Sequence, residues 1–486
     1  MISLTINNFR GFQNQEIDLS KISVLIGENC SGKSSLIKLL LAMKQSLETP
    51  NDQESNFTFS GDYSDLGSYN ETVFNHQTNR KISFKFKFQN DYNKFYLREI
   101  IPIAGQFEET NSEHSSRRIL KRDIEKLSSK YLEGKIDDET TVEFQISNEL
   151  DKNSAVKTKF YNKKLGEVKI QIQETPETIN DDYIYLHTSI CNINFKHFPS
   201  KETYLIKNVR FDKSGFTSLI LGESLREALD RDFPELESDK RKELFYQLSF
   251  LLISQNYLSD FLSRIEYINP ISSQPERIFL KGDAKKRYRL NNIEKVVKML
   301  DKKKEENSDF IQHFSRLVAD FGIADDIFLK SDSDLPVQEL RIKINDLWSN
   351  IADVGYGVAL QLPILFEALY SENMSNVNKI LLIEQPEVHV HPRLQARLIE
   401  VLCSLNKHTS YIIETHSEHI IRKLQSIVKK GENNITPQDV TITYFTKKNS
   451  QLLMQKHNID KNGVLSPKIP SGFFDSTYLL AKELLS

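Results

Sequence analysis

"KISVLIGENCSGKSSLIKLLLAMKQSL", residues 21–47, decides the fold. It opens with a short apolar run, Val24, Leu25 and Ile26, of the kind a buried strand carries. Gly27 then begins a G-x-x-x-x-G-K-[ST] match, with Gly32, Lys33 and Ser34 at the other fixed positions. Leu36, Leu39, Leu40, Met43 and Leu47 follow at helical spacing and predict a helix with one apolar side. Strand, glycine-rich loop and helix in this order make a cradle for phosphate. The glycines let backbone N–H groups turn inward, the helix N-terminus adds partial positive charge, and Lys33 reaches the phosphates. Ser34 offers its hydroxyl to Mg2+. Asn29, Ser31 and Ser35 complete the residues expected around the bound nucleotide.

The composition sets limits on the rest. At 486 residues, with 27% charged and 39% hydrophobic side chains, the chain reads as globular and long enough for two or three domains. The net charge of −3 gives no global drive toward nucleic acid, so any such contact needs a local patch. Cys30, Cys191 and Cys403 are odd in number and far apart, which argues for a reducing, cytoplasmic setting over a disulfide framework. No apolar run approaches the roughly 18 residues of a membrane span. The opening "MISLTINNFRGF" lacks the charged-then-apolar pattern of a secretion leader.

Upstream of the loop, Leu4 and Ile6 alternate with polar residues, as in an edge-side strand. Arg10 lies close in sequence to the loop and is either a nucleotide contact or a surface arginine. In the middle of the chain, "KISFKFKF" (81–88) sets Ile82, Phe84, Phe86 and Phe88 against lysines, a half-exposed antiparallel strand. "TVEFQI" (141–146) and "EVKIQI" (167–172) alternate similarly. Residues 113–133, 222–266 and 293–321 read as helical. Two basic clusters, "KGDAKKRYR" (281–289) and "DKKKEE" (301–306), are either solvated faces or, for the first with its Tyr288, a phosphate-backbone contact.

Toward the C-terminus, "IADVGYGVALQLP" (351–363) is a glycine turn, Gly355 and Gly357, opening a helix. "KILLIEQPE" (379–387) is a buried strand ending in Glu384, where a carboxylate can hold Mg2+ opposite the phosphate loop. Gln385 follows. Its amide orients water but accepts no proton as a base. Glu387 is the nearest spare carboxylate and either acts through water or caps the next helix. "YIIETHSEHIIRKL" (411–424) gives a further strand, and His416 just past its end suits a γ-phosphate reporter. A zinc site from His389, His391, His416 and His419 has neither H-E-x-x-H nor a cysteine at ligand spacing.

The order of these pieces resembles the ABC-type ATPase head shared by SMC proteins and OLD-like nucleases. The blocks "NFRGF", "GENCSGKSS", "DLGSYNETV", "YINPISSQPERIF", "DVGYGV", "IEQPEVHVHPRLQ", "ETHSEHIIRK" and "IPSGFFD" look like those of the SMC-like AAA ATPases with a C-terminal domain of unknown function. ATPase subunits of two-gene anti-phage systems such as PARIS and Septu are similar in design. The resemblance implies an α/β fold, a mixed sheet with the phosphate loop, an antiparallel β lobe and a largely helical insertion. It divides the chain into an N-terminal head part (1–90), lobe strands and insertion (91–335) and a C-terminal head part (336–486). It further implies ATP and Mg2+ as ligands, and Gly355 and Gly357 as a signature-like loop meeting the γ-phosphate of a partner subunit. The expected assembly is a homodimer with ATP sandwiched between heads, or a higher homo-oligomer. Ala359 and Leu360 stand where the subgroup usually has serine and glutamine.

The functional expectation is an ATP-binding, slowly hydrolysing sensor or switch in anti-phage defence. It would hold or activate a separate effector encoded nearby, a nuclease, in response to a phage-derived protein or DNA, with no membrane partner. The alternative is an SMC-like repair or recombination ATPase that clamps DNA. A stand-alone nuclease lacks a metal-carboxylate cluster outside the ATPase motifs. The loop assignment makes a direct prediction. Lys33→Ala should lose nucleotide binding while keeping the fold, because no neighbouring side chain replaces that charge. Equal ATP affinity in variant and wild type, measured by calorimetry, would remove the assignment.

Overall fold

The computed structural model describes residues 2–48, 57–88, 140–147, 157–163, 166–173, 188–197, 200–214, 217–220, 222–252, 254–269, 275–281, 292–306, 309–331, 335–373, 378–448, 451–470 and 483. The helix expected over 113–133, nearly all of the basic cluster 281–289 and most of "IPSGFFD" lie outside the described residues. The chain forms two compact units, residues 1–17 with 38–263 and residues 18–37 with 264–486. Together they make a mixed α/β protein with two large sheets. No helix among the described residues is long and apolar enough to cross a membrane. All three cysteines are free thiols.

The first unit is built on a nine-stranded sheet. Its strands are β1 (Ile2–Phe9), β2 (Phe12–Leu19), β4 (Ile82–Phe88), β5 (Thr140–Ile146), β6 (Lys157–Asn162), β7 (Gly166–Gln173), β8 (Thr188–His197), β9 (Thr203–Ser214) and β10 (Thr217–Ile220), in the order β10-β9-β8-β7-β6-β5-β4-β1-β2. The alternation in β4 does what period-2 patterning requires. Ile82, Phe84, Phe86 and Phe88 are buried, and Lys85 and Lys87 are half-exposed. Phe84 and Phe86 stand opposite Ile6 and Leu4 of β1 on one side, and Phe144 and Val142 of β5 on the other. Thus β1 lies one strand in from the edge strand β2. Helices Gly222–Asp232, Ser238–Leu252 and Ser254–Ser263 complete this unit.

The second unit holds the phosphate loop. Its main sheet contains β3 (Ile22–Gly27), β11 (Ile265–Ile268), β16 (Lys379–Glu384), β17 (Thr409–Glu414), β18 (Val440–Lys448), β19 (Gln451–Ile459) and β20 (Leu465–Ser466), in the order β11-β16-β17-β3-β18-β19-β20. From β11 to β18 the pairing is parallel, and β19 turns back antiparallel. The parallel strands read as unbroken apolar runs because both faces are covered. Ile380–Ile383, Tyr411–Ile413 and Val24–Ile26 are buried throughout. A smaller antiparallel sheet contains β12 (Phe279–Leu280), β13 (Asp326–Ser331), β14 (Val337–Ile344) and β15 (Leu347–Asn350). Helices Asn292–Glu305, Phe310–Phe321, Tyr356–Asn373, Pro392–Ser404 and Glu418–Lys430 also belong here.

The phosphate-loop helix, Lys33–Glu48, differs from its expectation of one apolar side. From Leu36 to Ser46 only Lys38 is exposed. The buried polar residues are accounted for one by one. Gln45 Nε2 donates to the Thr58 and Ser64 carbonyls at 2.8 and 3.0 Å, and its Oε1 accepts from the Tyr63 and Ser64 N–H groups. Lys44 Nζ donates to the Ser263 carbonyl at 3.2 Å.

One ion network ties β11 and β16 to two helices of the second unit. Glu266 pairs with Lys295 at 3.0 Å and Lys379 at 2.7 Å, and Lys295 also meets Glu367 at 2.8 Å. Although burial opposes ionisation, the two ammonium groups hold the Glu266 carboxyl down at about 2, against an ordinary 4.5. A depressed carboxyl pKa stabilises the fold fully above its unfolded value, and that contribution is lost as pH falls through the folded value. Glu266→Gln should therefore destabilise at neutral pH, by an amount between the ~1 kcal/mol of an exposed pair and the ~3–5 kcal/mol of a buried one. The gap in melting temperature between wild type and variant should narrow as pH drops from 4.5 toward about 2. A gap that stays constant over that window would show that the pair does not contribute this way.

Candidate functional site

The loop at the end of β3 is shaped by backbone before side chains. Gly27 has φ +138°, and a Cβ there would lie 2.0 Å from the Phe445 carbonyl oxygen of β18. Gly32 has φ +100°, and Cys30 between them takes φ 57°. Ser31 Oγ donates to the Glu28 carbonyl at 2.7 Å, which closes the turn. Lys33 is only 4% exposed. Its ammonium donates to the Gly27 and Glu28 carbonyls at 3.0 and 2.7 Å. Burial lowers its pKa, and the Glu414, Cys30, Glu387 and Glu28 charges work against that shift. Asn29 and Ser34 are exposed, and Ser35 is half-exposed.

Beside the loop, two glutamates end adjacent parallel strands in register, Glu384 on β16 and Glu414 on β17. Glu414 went unremarked in the sequence, although it closes "YIIE" as Glu384 closes "LLIE". The Ser34 hydroxyl sits 3.2 Å from both Glu414 carboxylate oxygens. Burial and the Glu384 charge push the Glu414 carboxyl up to about 7, with Lys33 and Ser34 opposing. The Tyr267 hydroxyl bonds Glu384, and burial together with that carboxylate raises the Tyr267 pKa. A hydroxyl and two carboxylates form an oxygen donor set that suits a hard cation, and the neighbouring lysine suits the phosphate oxygens that would share it. No group of three or more His, Cys, Asp or Glu that could hold a metal occurs among the described residues. The Ser34 hydroxyl and the strand-end carboxylates fit Mg2+, which is commonly held by one or two carboxylates plus phosphate.

The turn after Glu384 is fastened on three sides. Gln385 has φ 43° and donates its N–H to the Glu414 carbonyl at 2.8 Å. Gln361, fully buried on the helix that follows the glycine turn, donates to the Pro386 carbonyl at 2.7 Å. Gln395 donates to the Val390 carbonyl at 2.8 Å and accepts the Ser417 hydroxyl at 2.6 Å. Glu387 accepts the Thr415 hydroxyl at 2.7 Å and the His416 N–H at 2.6 Å. The cap of the helix Pro392–Ser404 is His391, so the capping role considered for Glu387 falls to another residue. Burial raises the Glu387 pKa despite these donors. Burial also lowers the His416 pKa, and the Lys33 charge adds to the shift.

The glycine turn meets this same loop. A Cβ on Gly357 would lie 2.5 Å from the His389 carbonyl oxygen, and the Tyr356 and His389 rings meet edge-on at 5.3 Å. Gly355 is exposed, and a Cβ there meets nothing within 4 Å. The second unit therefore brings together Lys33, Ser34, Glu387, His416 and the strand-end pair, with Gly357 packed on the 385–391 turn. Arg10 belongs to the first unit. There it has φ 47°, lies 5.9 Å from the Phe9 ring centroid, and has its pKa lowered by burial against the Asp65 charge.

Comparison with known proteins follows this geometry. The family model described as AAA ATPase domain (AAA_15) matches residues 1–421. No curated protein matches the chain. Among solved structures, the SMC head bound to the C-winged helix domain of ScpA is 10% identical over 94% of this chain and 98% of that one, with TM-score 0.42. The SMC head domain from Thermotoga maritima is 9% identical over 93% and 97%, with TM-score 0.37. The Pyrococcus furiosus Smc head with an extended coiled coil, bound to the C-terminal domain of ScpA, is 10% identical over 100% of both chains, with TM-score 0.40.

The two glycines of the turn should behave differently. Gly357→Ala should cost about 1–3 kcal/mol of stability through its clash with the His389 carbonyl. Gly355→Ala should stay within about 0.5 kcal/mol of wild type. Chemical denaturation of the pair checks this, and equal costs would contradict the packing.

Proposed function

The chain belongs to the AAA ATPase domain family, and from that premise we propose that it is an ATP-binding, slowly hydrolysing switch. Lys33 and the loop N–H groups take the phosphates, with Asn29, Ser31 and Ser35 around them. Ser34 and Glu384, joined by Glu414, hold the Mg2+ that neutralises phosphate charge. Gln385 orients the attacking water, and His416 contacts the γ-phosphate. Gly355 and Gly357 form the loop that meets a second subunit, so the ATP-bound state is a dimer of heads or a larger homo-oligomer.

One observation carries the slow turnover. The nearest spare carboxylate along the sequence, Glu387, is already engaged by the Thr415 hydroxyl and the His416 N–H. Gln385 itself cannot accept the proton. Hydrolysis then runs below the ~10 s⁻¹ typical of enzymes, and the closed ATP state is long-lived. Such a state suits a loaded sensor better than a motor. The resemblance to anti-phage ATPase subunits supports a cytoplasmic defence role, with a separate nuclease as effector and a phage protein or DNA as trigger.

Three variants test the reading. Gln385→Glu keeps the backbone and adds the missing base, so turnover should rise at least ~10-fold. His416→Ala should lower turnover more than ATP affinity. A Cβ on Gly355 meets nothing within 4 Å, so Gly355→Arg should fold normally yet abolish ATP-dependent dimerisation in sedimentation. Wild-type turnover of tens per second without any partner, or a Gly355→Arg protein that still pairs on ATP, would refute the switch.

A further inference from the structure

The small sheet of the second unit has an open face that the ATPase reading does not use. Eight large hydrophobic side chains are exposed among the described residues, and six of them, Ile278, Leu280, Phe328, Leu335, Leu347 and Trp348, lie on this sheet or its connections. The register sorts them by face. On β14, Gln338, Leu340 and Ile342 are buried, while Glu339, Arg341 and Lys343 point the other way. Phe328 stands opposite Arg341, and Trp348 stands opposite Lys343, so both rings share that outer face. Their centroids are 6.1 Å apart at 70°.

Cations interleave with the rings. Lys330 is on the same face, opposite Glu339. The Lys304 ammonium lies 5.9 Å from the Phe328 centroid. Arg341 meets Glu339 at 3.3 Å, and Lys343 meets Asp346 at 2.9 Å. Both are pairs with exposed members, which contribute little and exchange readily for another anion. A groove of about 380 Å³ beside Trp348 is lined by Arg277 and Arg341 together with their acidic partners Asp353 and Glu339, and by Asn350. On this face the four cations Lys304, Lys330, Arg341 and Lys343 stand among the acidic Asp326, Glu339 and Asp346.

We propose that this open sheet face binds single-stranded nucleic acid, with bases stacking on Trp348 and Phe328 and phosphates meeting Lys304, Lys330, Arg341 and Lys343. Aromatic rings give every base a π-face irrespective of sequence, and flanking cations follow the backbone. A purely apolar docking face would have no use for four cations among its rings. The binding does not depend on ATP, so it goes beyond the switch reading and can be tested apart from it.

Trp348 is the only tryptophan of the chain, so its fluorescence reports this face alone. The full-length protein is titrated with a deoxythymidine 20-mer at 50 and 300 mM salt. Stacking should quench the emission. With about three to four phosphates engaged, affinity should fall roughly 40- to 150-fold between the two salts. Lys330→Glu combined with Lys343→Glu should lose most of the binding with an unchanged melting temperature. Phe328→Ala, followed by anisotropy of a labelled 20-mer, should weaken binding roughly 10-fold. Lys33→Ala should bind the oligonucleotide as wild type does, which separates this result from the fate of the ATPase assignment. Absence of quenching, binding without quenching, or quenching that survives the charge reversals would overturn the proposal. Equal quenching by a polyglutamate peptide would assign the face to an acidic protein partner and overturn it as well.

Discussion

Two carboxylates at the ends of neighbouring parallel strands cannot both be charged in a buried site without a cation close by. Glu384 and Glu414 are such a pair, in register on β16 and β17. Burial and its neighbour's charge push the carboxyl of Glu414, which is 2% exposed, up to about 7. The cations and donors around the pair follow from this constraint. Lys33 is buried at the mouth of the loop, and Ser34 turns its hydroxyl to Glu414. A divalent cation would replace the proton that Glu414 otherwise tends to keep, so cation binding and deprotonation are linked. The phosphate loop alone supplies positive charge for phosphate. The strand-end pair supplies the negative charge that a divalent cation would need there.

The 385–391 turn depends on the same geometry. It leaves β16 directly after Glu384, and its first N–H bonds the Glu414 carbonyl. From there it is fixed to the glycine-turn helix by Gln361, to the helix Pro392–Ser404 by Gln395, and to the His416 segment by Glu387. Each anchor is a side chain bonding a backbone group of another segment, so displacement of one segment strains the others. Contact at the glycine turn and the position of His416 are thereby coupled through one short piece of chain, with no need for a longer pathway.

The parts of this arrangement that the sequence revealed are those with local signals. The Gly27–Ser34 loop is read from spacing, and β4 from its alternating phenylalanines and lysines. The all-apolar parallel strands stand out because neither face meets water. What escaped was non-local. Glu414 looks like any strand-end glutamate until β17 is known to lie beside β16. The engagement of Glu387 joins residues 28 and 29 positions apart. Amphipathic reasoning treats Lys44 and Gln45 as surface residues, yet both are buried because carbonyls such as those of Thr58, Ser64 and Ser263 meet them. The phosphate-loop helix thus carries less of its burial pattern in its own periodicity than its neighbours do in theirs.

The glycine turn shows why a motif cannot be read as a single requirement. Gly357 is needed by the fold, because the His389 carbonyl occupies the place of a side chain. Gly355, two residues earlier, is under no such demand: its φ lies outside the left-handed region and its Cβ direction is open among the described residues. A side chain there would cost the isolated chain little, since neither strain nor collision opposes it. A glycine in that situation leaves backbone N–H groups and open space accessible at the start of a helix, where an anion is best received. Gln361 and Gly357 fix the helix against the 385–391 turn and hold its N-terminus in a defined position. The rigid half of the turn is therefore explained by contacts within the chain, whereas no contact among the described residues demands the glycine of the open half.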